Sequence, residues 1–424
     1  MSYRFLHAAD LHLDTPFSGL SATAPEVAAA LRDASLAAFD QLVRLAIARD
    51  VAFVIISGDV YDGAERGVRA QLELHRGLRE LSERGIRTFV VSGNHDPVDE
   101  GWSAIREWPG LVTIFPADEP ASVVVERDGT PLATVHGISY GTRAVTDNLA
   151  ERIRPDDGPG PHLAVLHANV GGNPDHDPYS PCTIDELVAS GIDYWALGHV
   201  HTREILHRDP WIVYPGNLQA RSPRASERGP KGAYVVEVDD AGVIAEPEFV
   251  ALDRIRFDRI EHSIDGISDL ATLRDRLIDL GHQRLAEADR RSVLLRVELV
   301  GRGPIHGDLY RPGALAELLD TLRGESLSEA PFLWWDRIDV STRPVQDLDE
   351  LLGRNDFVAD LVEEASALLD DDATRAERVQ TWDDELPSDL AHLLGEALPN
   401  ADDPERWRSA EELAVDLVAG DESS

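Results

Sequence analysis

Cysteine is almost missing from this chain. Cys182 stands alone among 424 residues, so no disulfide can close within it, which fits a reducing compartment. Lysine is as scarce: Lys231 is the single one, and nearly all positive charge is arginine. No window approaches the roughly 18 uncharged apolar residues of a membrane helix. Arg4, His7 and Asp10 interrupt any apolar run near the start, so no secretory signal is expected. These absences point to a cytoplasmic protein without a membrane span. Hydrophobic residues still make up 43% of the chain, ample for a buried core.

Acid is what the chain has in excess. Its formal net charge is −38, and the stretch from Gln346 to Ser424 holds 24 Asp/Glu against 5 Arg, so half of the charge lies there. The plainer reading is a solvated acidic surface of a compositionally biased, salt-tolerant host; the alternative is an acidic tail that docks a basic partner.

Length suggests two or three domains, at roughly 100–200 residues each. Tyr3–Ala8, Val51–Ser57 and Thr88–Ser92 read as strands, and Glu26–Asp50 and Gly67–Glu83 as helices between them. That βαβαβ rhythm argues for an α/β sheet with helices on its faces. From Leu111 strands crowd together and helices thin out, Thr183–Ser190 being one. A second sheet packed on the first is expected, giving a four-layer helix–sheet–sheet–helix (αββα) sandwich over residues 1–254. Residues 255–345 read as a small α/β domain, with strands at Arg256–Ser263, Ser292–Leu299 and Phe332–Val340 and helices at Ser268–Leu280 and Pro312–Arg323. Residues 346–424 read as an acidic helical tail: one helix over Asp347–Leu369, then short helices with mobile connections around Pro387, Pro399 and Pro404.

Five short segments gather metal-ligand side chains, each just after an expected strand: Asp10 and His12; Gly58 and Asp59; Gly93, Asn94, His95 and Asp96; His167; and His199 with His201. Strand ends of an α/β sheet converge on one edge, so these can meet. The donors are imidazole, carboxylate and one amide, without thiolate, which suits manganese, iron or zinc in an open site. Two residues apart on an extended segment point the same way, so Asp10 and His12 can grip one ion and His199 and His201 two adjacent ones. Asp59 has two oxygens with which to bridge a pair, and Gly58 and Gly93 permit tight turns. Taken singly each segment has a bland reading: Asp-x-His a surface pair, Gly-Asp a turn, Gly-Asn-His-Asp a loop, His167 a core histidine. Five in this order do not.

The ordered set resembles the calcineurin-like metallophosphoesterase superfamily over roughly residues 3–220. His7 to Asp14, Ser57 to Asp62, and Tyr214-Pro215-Gly216-Asn217 with the arginine-rich segment after it are similar to the SbcD/YhaO group of bacterial DNA-repair exonucleases. The resemblance implies two divalent ions, manganese preferred. Asp10, His12, Asp59 and His201 would hold one and Asp59, Asn94, His167 and His199 the other. A bridging hydroxide would attack phosphorus in line with the leaving group. His95 would face the scissile phosphate, with Asp96 orienting its ring. The small α/β unit after residue 255 sits where those nucleases carry a capping domain, and their C-terminal segments attach to an SbcC-like coiled-coil ATPase. DNA, such an ATPase and a second copy of the chain are the implied partners.

Asp14 and Asp62 are either supporting groups or turn caps. His136 is a cleft or a core histidine. His162, His176 and His207 read as surface, Cys182 as structural. From Arg203 to Lys231 six basic residues face three acidic ones, a stretch that either lines a phosphate path or is a solvated loop. A phosphodiester nuclease is the first reading. A phosphatase or phosphodiesterase for small molecules or phosphoproteins is the second, and a scaffold that merely keeps the fold the third.

Overall fold

The structure, a computed structural model, describes residues 1–15, 25–63, 67–99, 103–172, 177–326, 331–345, 351–354, 356–385 and 404–419. The apolar runs become the inner strands of two six-stranded sheets. The first holds, in order, β12 (Glu248–Ala251), β11 (Gly232–Val238), β1 (Tyr3–Ala8), β2 (Phe53–Ser57), β3 (Arg87–Val91) and β4 (Val112–Ile114). The second holds β5 (Ala121–Arg127), β6 (Thr130–Gly137), β7 (His162–His167), β8 (Tyr194–Gly198), β10 (Trp211–Tyr214) and β9 (Glu204–Arg208). Strands β1 to β4 run parallel, as do β6, β7, β8 and β10.

Alternation along each strand sorts the layers. Phe5, Ile55, Phe89, Val165 and Ala196 fill the space between the sheets. Leu6, Val54 and Ile56 face the other way, onto α1 (Pro25–Ala48) and α2 (Val68–Glu83). Ala164, Leu166 and Trp195 face the side of α3 (Ile184–Val188). The expected αββα sandwich is the observed one. Strand β9 was not foreseen, because Glu204–Arg208 carries charge at both ends and a histidine, with little apolar signal.

The small sheet is wholly parallel, in the order β13 (Ile255–Ser263), β14 (Ser292–Val300), β15 (Leu333–Val340). One face packs on α4 (Leu270–Glu287) and α6 (Ala314–Ser326), through Leu273, Leu277, Leu322 and Trp335, with the one-turn α5 (His306–Leu309) beside them. Helix α4 runs seven residues past the expected Leu280, since Leu285 continues its apolar stripe. The other face buries Phe257, Leu294 and Trp334 against Val27 and Leu31 of α1. The chain divides into two compact units, Met1–Thr342 and Arg343–Ser424, and that apolar contact places the small sheet in the first.

In the second unit, α7 (Phe357–Asp370), α8 (Asp372–Glu385) and α9 (Pro404–Ala419) are the helices among the described residues. Val358 and Val362 of α7 pack on Val415 of α9. The helix expected from Asp347 begins its main body at Phe357, where Asp356 caps it by accepting from the backbone of Val358 and Ala359. Residues 346–350, Pro387 and Pro399 lie outside the described residues. Where short helices were expected, α8 and α9 run 14 and 16 residues. Among the described residues no helix is long and apolar enough to cross a membrane.

Candidate metal centre

The parallel runs of both sheets end on one rim, and that is where the five segments meet. After β1 and β2 the two loops zip together: Asp10 N–H donates to the Gly58 carbonyl at 3.1 Å, His12 N–H to Asp59 O at 3.0 Å and Leu13 N–H to Val60 O at 2.9 Å. The sheets are tied below the rim by His7, whose ring nitrogens stand 3.0 Å from Tyr194 Oη and 3.2 Å from Leu197 O. Burial lowers the His7 pKa to about 3, so it serves as a neutral polar tie.

The backbone at the rim is strained. Asp10, His12, Asp59 and His199 take φ of 49°, 42°, 47° and 99°, a region that non-glycine residues rarely adopt. Four such residues at one spot is the clustering associated with functional sites. Close approach adds a second constraint. A Cβ on Gly198 would stand 1.7 Å from the Ser57 carbonyl oxygen, and one on Gly93 2.3 Å from Asp59 Oδ1. Gly198→Ala is therefore expected to destabilise the protein by about 3 kcal/mol or more, read as a lowered midpoint of thermal unfolding; an unchanged midpoint would show that the rim can relax.

Within this frame the side chains converge. Asp10 and Asp59 are fully or almost fully buried. His167 Nε2 lies 3.4 Å from Asp59 Oδ2 and 3.0 Å from Asn94 Oδ1. His12 Nε2 faces His201 Nε2 at 3.1 Å and Asp59 Oδ2 at 3.8 Å. The Asp10 carboxylate accepts from His199 N–H, and Asp59 Oδ1 accepts from His95 N–H at 2.9 Å. The seven expected ligand residues and His95 all lie at this rim, the His199 ring beside that of His167 with its Nε2 2.8 Å from the Asp177 carbonyl. Asp10, His12 and His201 form one group able to hold an ion, and Asp10, Asp59 and His167 another.

The donor set fits cations for a reason visible in its hydrogen bonding. His167 Nδ1 faces the Ser57 carbonyl at 3.0 Å, His201 Nδ1 faces Glu227 Oε1 at 2.8 Å and His12 Nδ1 faces Asp62 Oδ1 at 3.3 Å. The Ser57 carbonyl and Glu227 put the imidazole protons of His167 and His201 on Nδ1, and the charge of Asp62 favours the same tautomer at His12. The Nε2 lone pairs of His12 and His201 are then left facing each other and that of His167 facing the oxygens of Asn94 and Asp59, an arrangement that is repulsive until a cation enters. A proton can stand in for one at His167 but not at His12, where burial lowers the pKa to about 3. Burial works against charge at His167, but Asp59 overrides this and raises its pKa to about 9. Asp59 itself is held well below the usual carboxylate range, since His167 outweighs burial, whereas burial pushes Asp10 up.

The rim opens into a cleft of about 860 Å³, which Asn94, His95, His199, Arg221, Arg224 and Glu227 help to line. The His95 ring is 36% exposed on its floor, in edge contact with His12. The carboxylate beside it is that of Asp62, 3.5 Å from Nδ1. Asp96 is placed differently from the ring-orienting position expected of it. Its two oxygens accept from Gly93 N–H and Val60 N–H, both at 2.9 Å, so it staples the two loops. Asp62 is also ion-paired with Arg221 at 2.7 Å. Burial alone would raise its pKa, but His12 and Arg221 hold it down.

The basic stretch splits in two. Arg221 and Arg224 line the cleft. Arg203 stacks on Phe249, Arg208 pairs with Glu246, and Lys231 is buried, donating to His201 O and Ser226 O at 2.7 Å. His136 is buried away from the cleft, against His162. His162 and His207 are half-buried rather than on the surface, and His176 lies outside the described residues. Cys182 is buried, and burial pushes its thiol up to about 12.

Glu227 is the functional residue that sequence reasoning missed. It is buried; one oxygen faces His201 and the other accepts from Asn217 at 2.6 Å and from Arg221 N–H at 3.0 Å. Nothing in the sequence separates it from the other acids of an arginine-rich loop.

Fold and site together define a metallophosphoesterase. The chain belongs to the calcineurin-like phosphoesterase family, whose model matches residues 3–203, and residues 257–343 match the middle domain of metallophosphoesterase YhaO. It is 34% identical to the uncharacterized metallophosphoesterase YhaO of Bacillus subtilis, over 82% of this chain and 84% of that one. It is 27% identical to the DNA double-strand break repair protein Mre11 of Methanopyrus kandleri, over 59% and 57% of the two chains. With the SbcD component of the nuclease SbcCD of Escherichia coli it shares 26% identity over 50% and 60%. The family uses divalent metal ions, and the groups just described are candidates to hold them.

Proposed function

We propose that this protein is a two-metal phosphodiesterase that hydrolyses DNA. The observation that carries the reading is the set of three inward-facing imidazole Nε2 atoms around two buried carboxylates, at the foot of a cleft bordered by arginine. Asp10, His12, Asp59 and His201 would hold one divalent ion, and Asp59, Asn94, His167 and His199 the other, manganese being the candidate. Such a pair, when bound, activates a water and neutralises phosphate oxygens. His95 projects a ring nitrogen into the cleft, where it can donate a proton to a leaving oxygen or stabilise its charge. Asp62, facing both His12 and His95, sets negative charge beside their Nδ1 atoms. Arg221 and Arg224 supply positive charge where a nucleic-acid backbone would run. A DNA strand end suits such a groove better than a small phosphate ester does, since the latter needs neither the arginines nor the small α/β unit after residue 255. The nuclease names of the Mre11 and SbcCD relatives point the same way. By analogy with SbcCD, a coiled-coil ATPase is the partner we would seek for the Arg343–Ser424 unit, and a second copy of the chain a further one. A role in DNA repair and a cytoplasmic site of action follow from the same reading.

Full-length protein in Mn²⁺ tests it, offered end-labelled linear DNA and, separately, p-nitrophenyl phosphate and bis-p-nitrophenyl phosphate. Metal-dependent shortening of the DNA is expected, and its products give the polarity. Rapid turnover of the small esters with intact DNA, both alone and with the ATPase partner, would leave a small-molecule phosphoesterase instead.

Glu227→Gln keeps the volume but gives up the anion that holds His201 in its tautomer. Activity or metal affinity is expected to fall 10–100-fold, measured as the Mn²⁺ concentration for half-maximal rate. An unchanged metal requirement would reduce Glu227 to a packing role.

A further inference from the structure

We infer that the outer face of the second sheet carries a separate site for one zinc-class ion, built from His136, His162 and Asp156. In the parallel register of β6 and β7, His136 pairs with Ala164 and Thr134 with His162. The two histidines are thus diagonal neighbours on one face, within reach of each other. Their rings meet at 2.9 Å between Nε2 of His136 and Nδ1 of His162. Asp156, in the connection that returns to β7, completes the group, all three ligand atoms lying within 4.8 Å of one another.

The carboxylate is oriented before any ion arrives. One oxygen of Asp156 accepts from Gly158 N–H at 2.9 Å and the other from Ser122 Oγ at 2.5 Å. Accepting those bonds leaves each oxygen a further lone pair for a metal. Two imidazoles and a carboxylate are a zinc-type donor set with an open fourth position. Imidazole nitrogens on a common tetrahedral ion stand roughly 3.3 Å apart. The rings therefore need to part by only a few tenths of an ångström. His136 is buried, His162 half-buried and Asp156 exposed, so the group is anchored at one end and open to solvent at the other.

The site is independent of the cleft. His162 and His167 begin and end β7, roughly 17 Å apart at strand rise. The ion would tie β5, through Ser122, to β6 and to the connection entering β7. Its role is to pin that connection, not to take part in hydrolysis.

The test is the zinc content of the full chain after equilibration with a small excess of Zn²⁺ and removal of free metal. His162→Gln and Asp156→Asn are compared with wild type, all three also carrying Asp59→Asn to weaken the catalytic centre. One zinc per chain is expected to disappear in His162→Gln and to bind at least tenfold more weakly in Asp156→Asn. In the Asp59-intact background, Mn²⁺-dependent hydrolysis by both variants is expected to stay within twofold of wild type. Co²⁺ in place of zinc should give a visible absorption band that His162→Gln lacks. Equal zinc content in all three proteins, with no such band, would overturn the site and leave a hydrogen-bonded histidine pair. A catalytic centre that failed to hydrolyse DNA would leave this result untouched.

Discussion

Asp59→Asn is expected to lower phosphodiesterase activity by about 10³-fold or more. In the proposed two-metal reading this carboxylate bridges the ions, and charge neutralisation by such ions contributes several kcal/mol to the transition state, at a factor of ten per 1.36 kcal/mol. The substitution is nearly isosteric. An asparagine Oδ1 can still accept from His95 N–H, the bond that Asp59 makes at 2.9 Å, so the loop has reason to keep its shape. What is lost is the negative charge that sets the His167 proton. Bound manganese should fall from two equivalents to one or none, while circular dichroism of the metal-free protein stays native. A variant retaining both ions and activity within tenfold of wild type would remove Asp59 from the bridging position.

His95→Ala separates chemistry from metal binding. The ring lies in the cleft, and its backbone N–H, which bonds Asp59, survives the substitution. A rate 10²- to 10⁴-fold lower is expected, the usual contribution of a positioned acid or base, with both manganese equivalents retained. Loss is expected in the rate at saturating substrate more than in KM, because the group acts on the developing charge. Loss of metal instead would make His95 a ligand, and an unchanged rate would leave the leaving oxygen without a protein proton donor.

The sequence made the αββα layers legible because strand and helix periods alternate cleanly through the first hundred residues, and short β-branched apolar runs such as Phe53–Ser57 favour buried strands. The ligand positions were legible for a related reason: each follows directly on a strand, and parallel strands deliver their ends to one rim. What escaped depends on side-chain direction or on a long return of the chain. Glu227 reaches His201 from a loop 26 residues later, a spacing with no periodicity to betray it. Asp96 was expected beside the His95 ring because it is the next residue in the sequence. Its side chain turns to the backbone of Gly93 and Val60, and Asp62, 33 positions before His95, stands beside the ring. The pairing of His136 with His162 depends on the register of β6 against β7, which only the folded sheet sets.

Mn²⁺ titration followed by electron paramagnetic resonance tests the central claim most directly. Two ions sharing Asp59 should be spin-coupled, so the six-line signal of isolated Mn²⁺ stays weak until two equivalents per chain have been added, and it should reappear early in Asp59→Asn. A six-line signal growing from the first equivalent in wild type, saturating at one ion per chain, would contradict the two-metal centre.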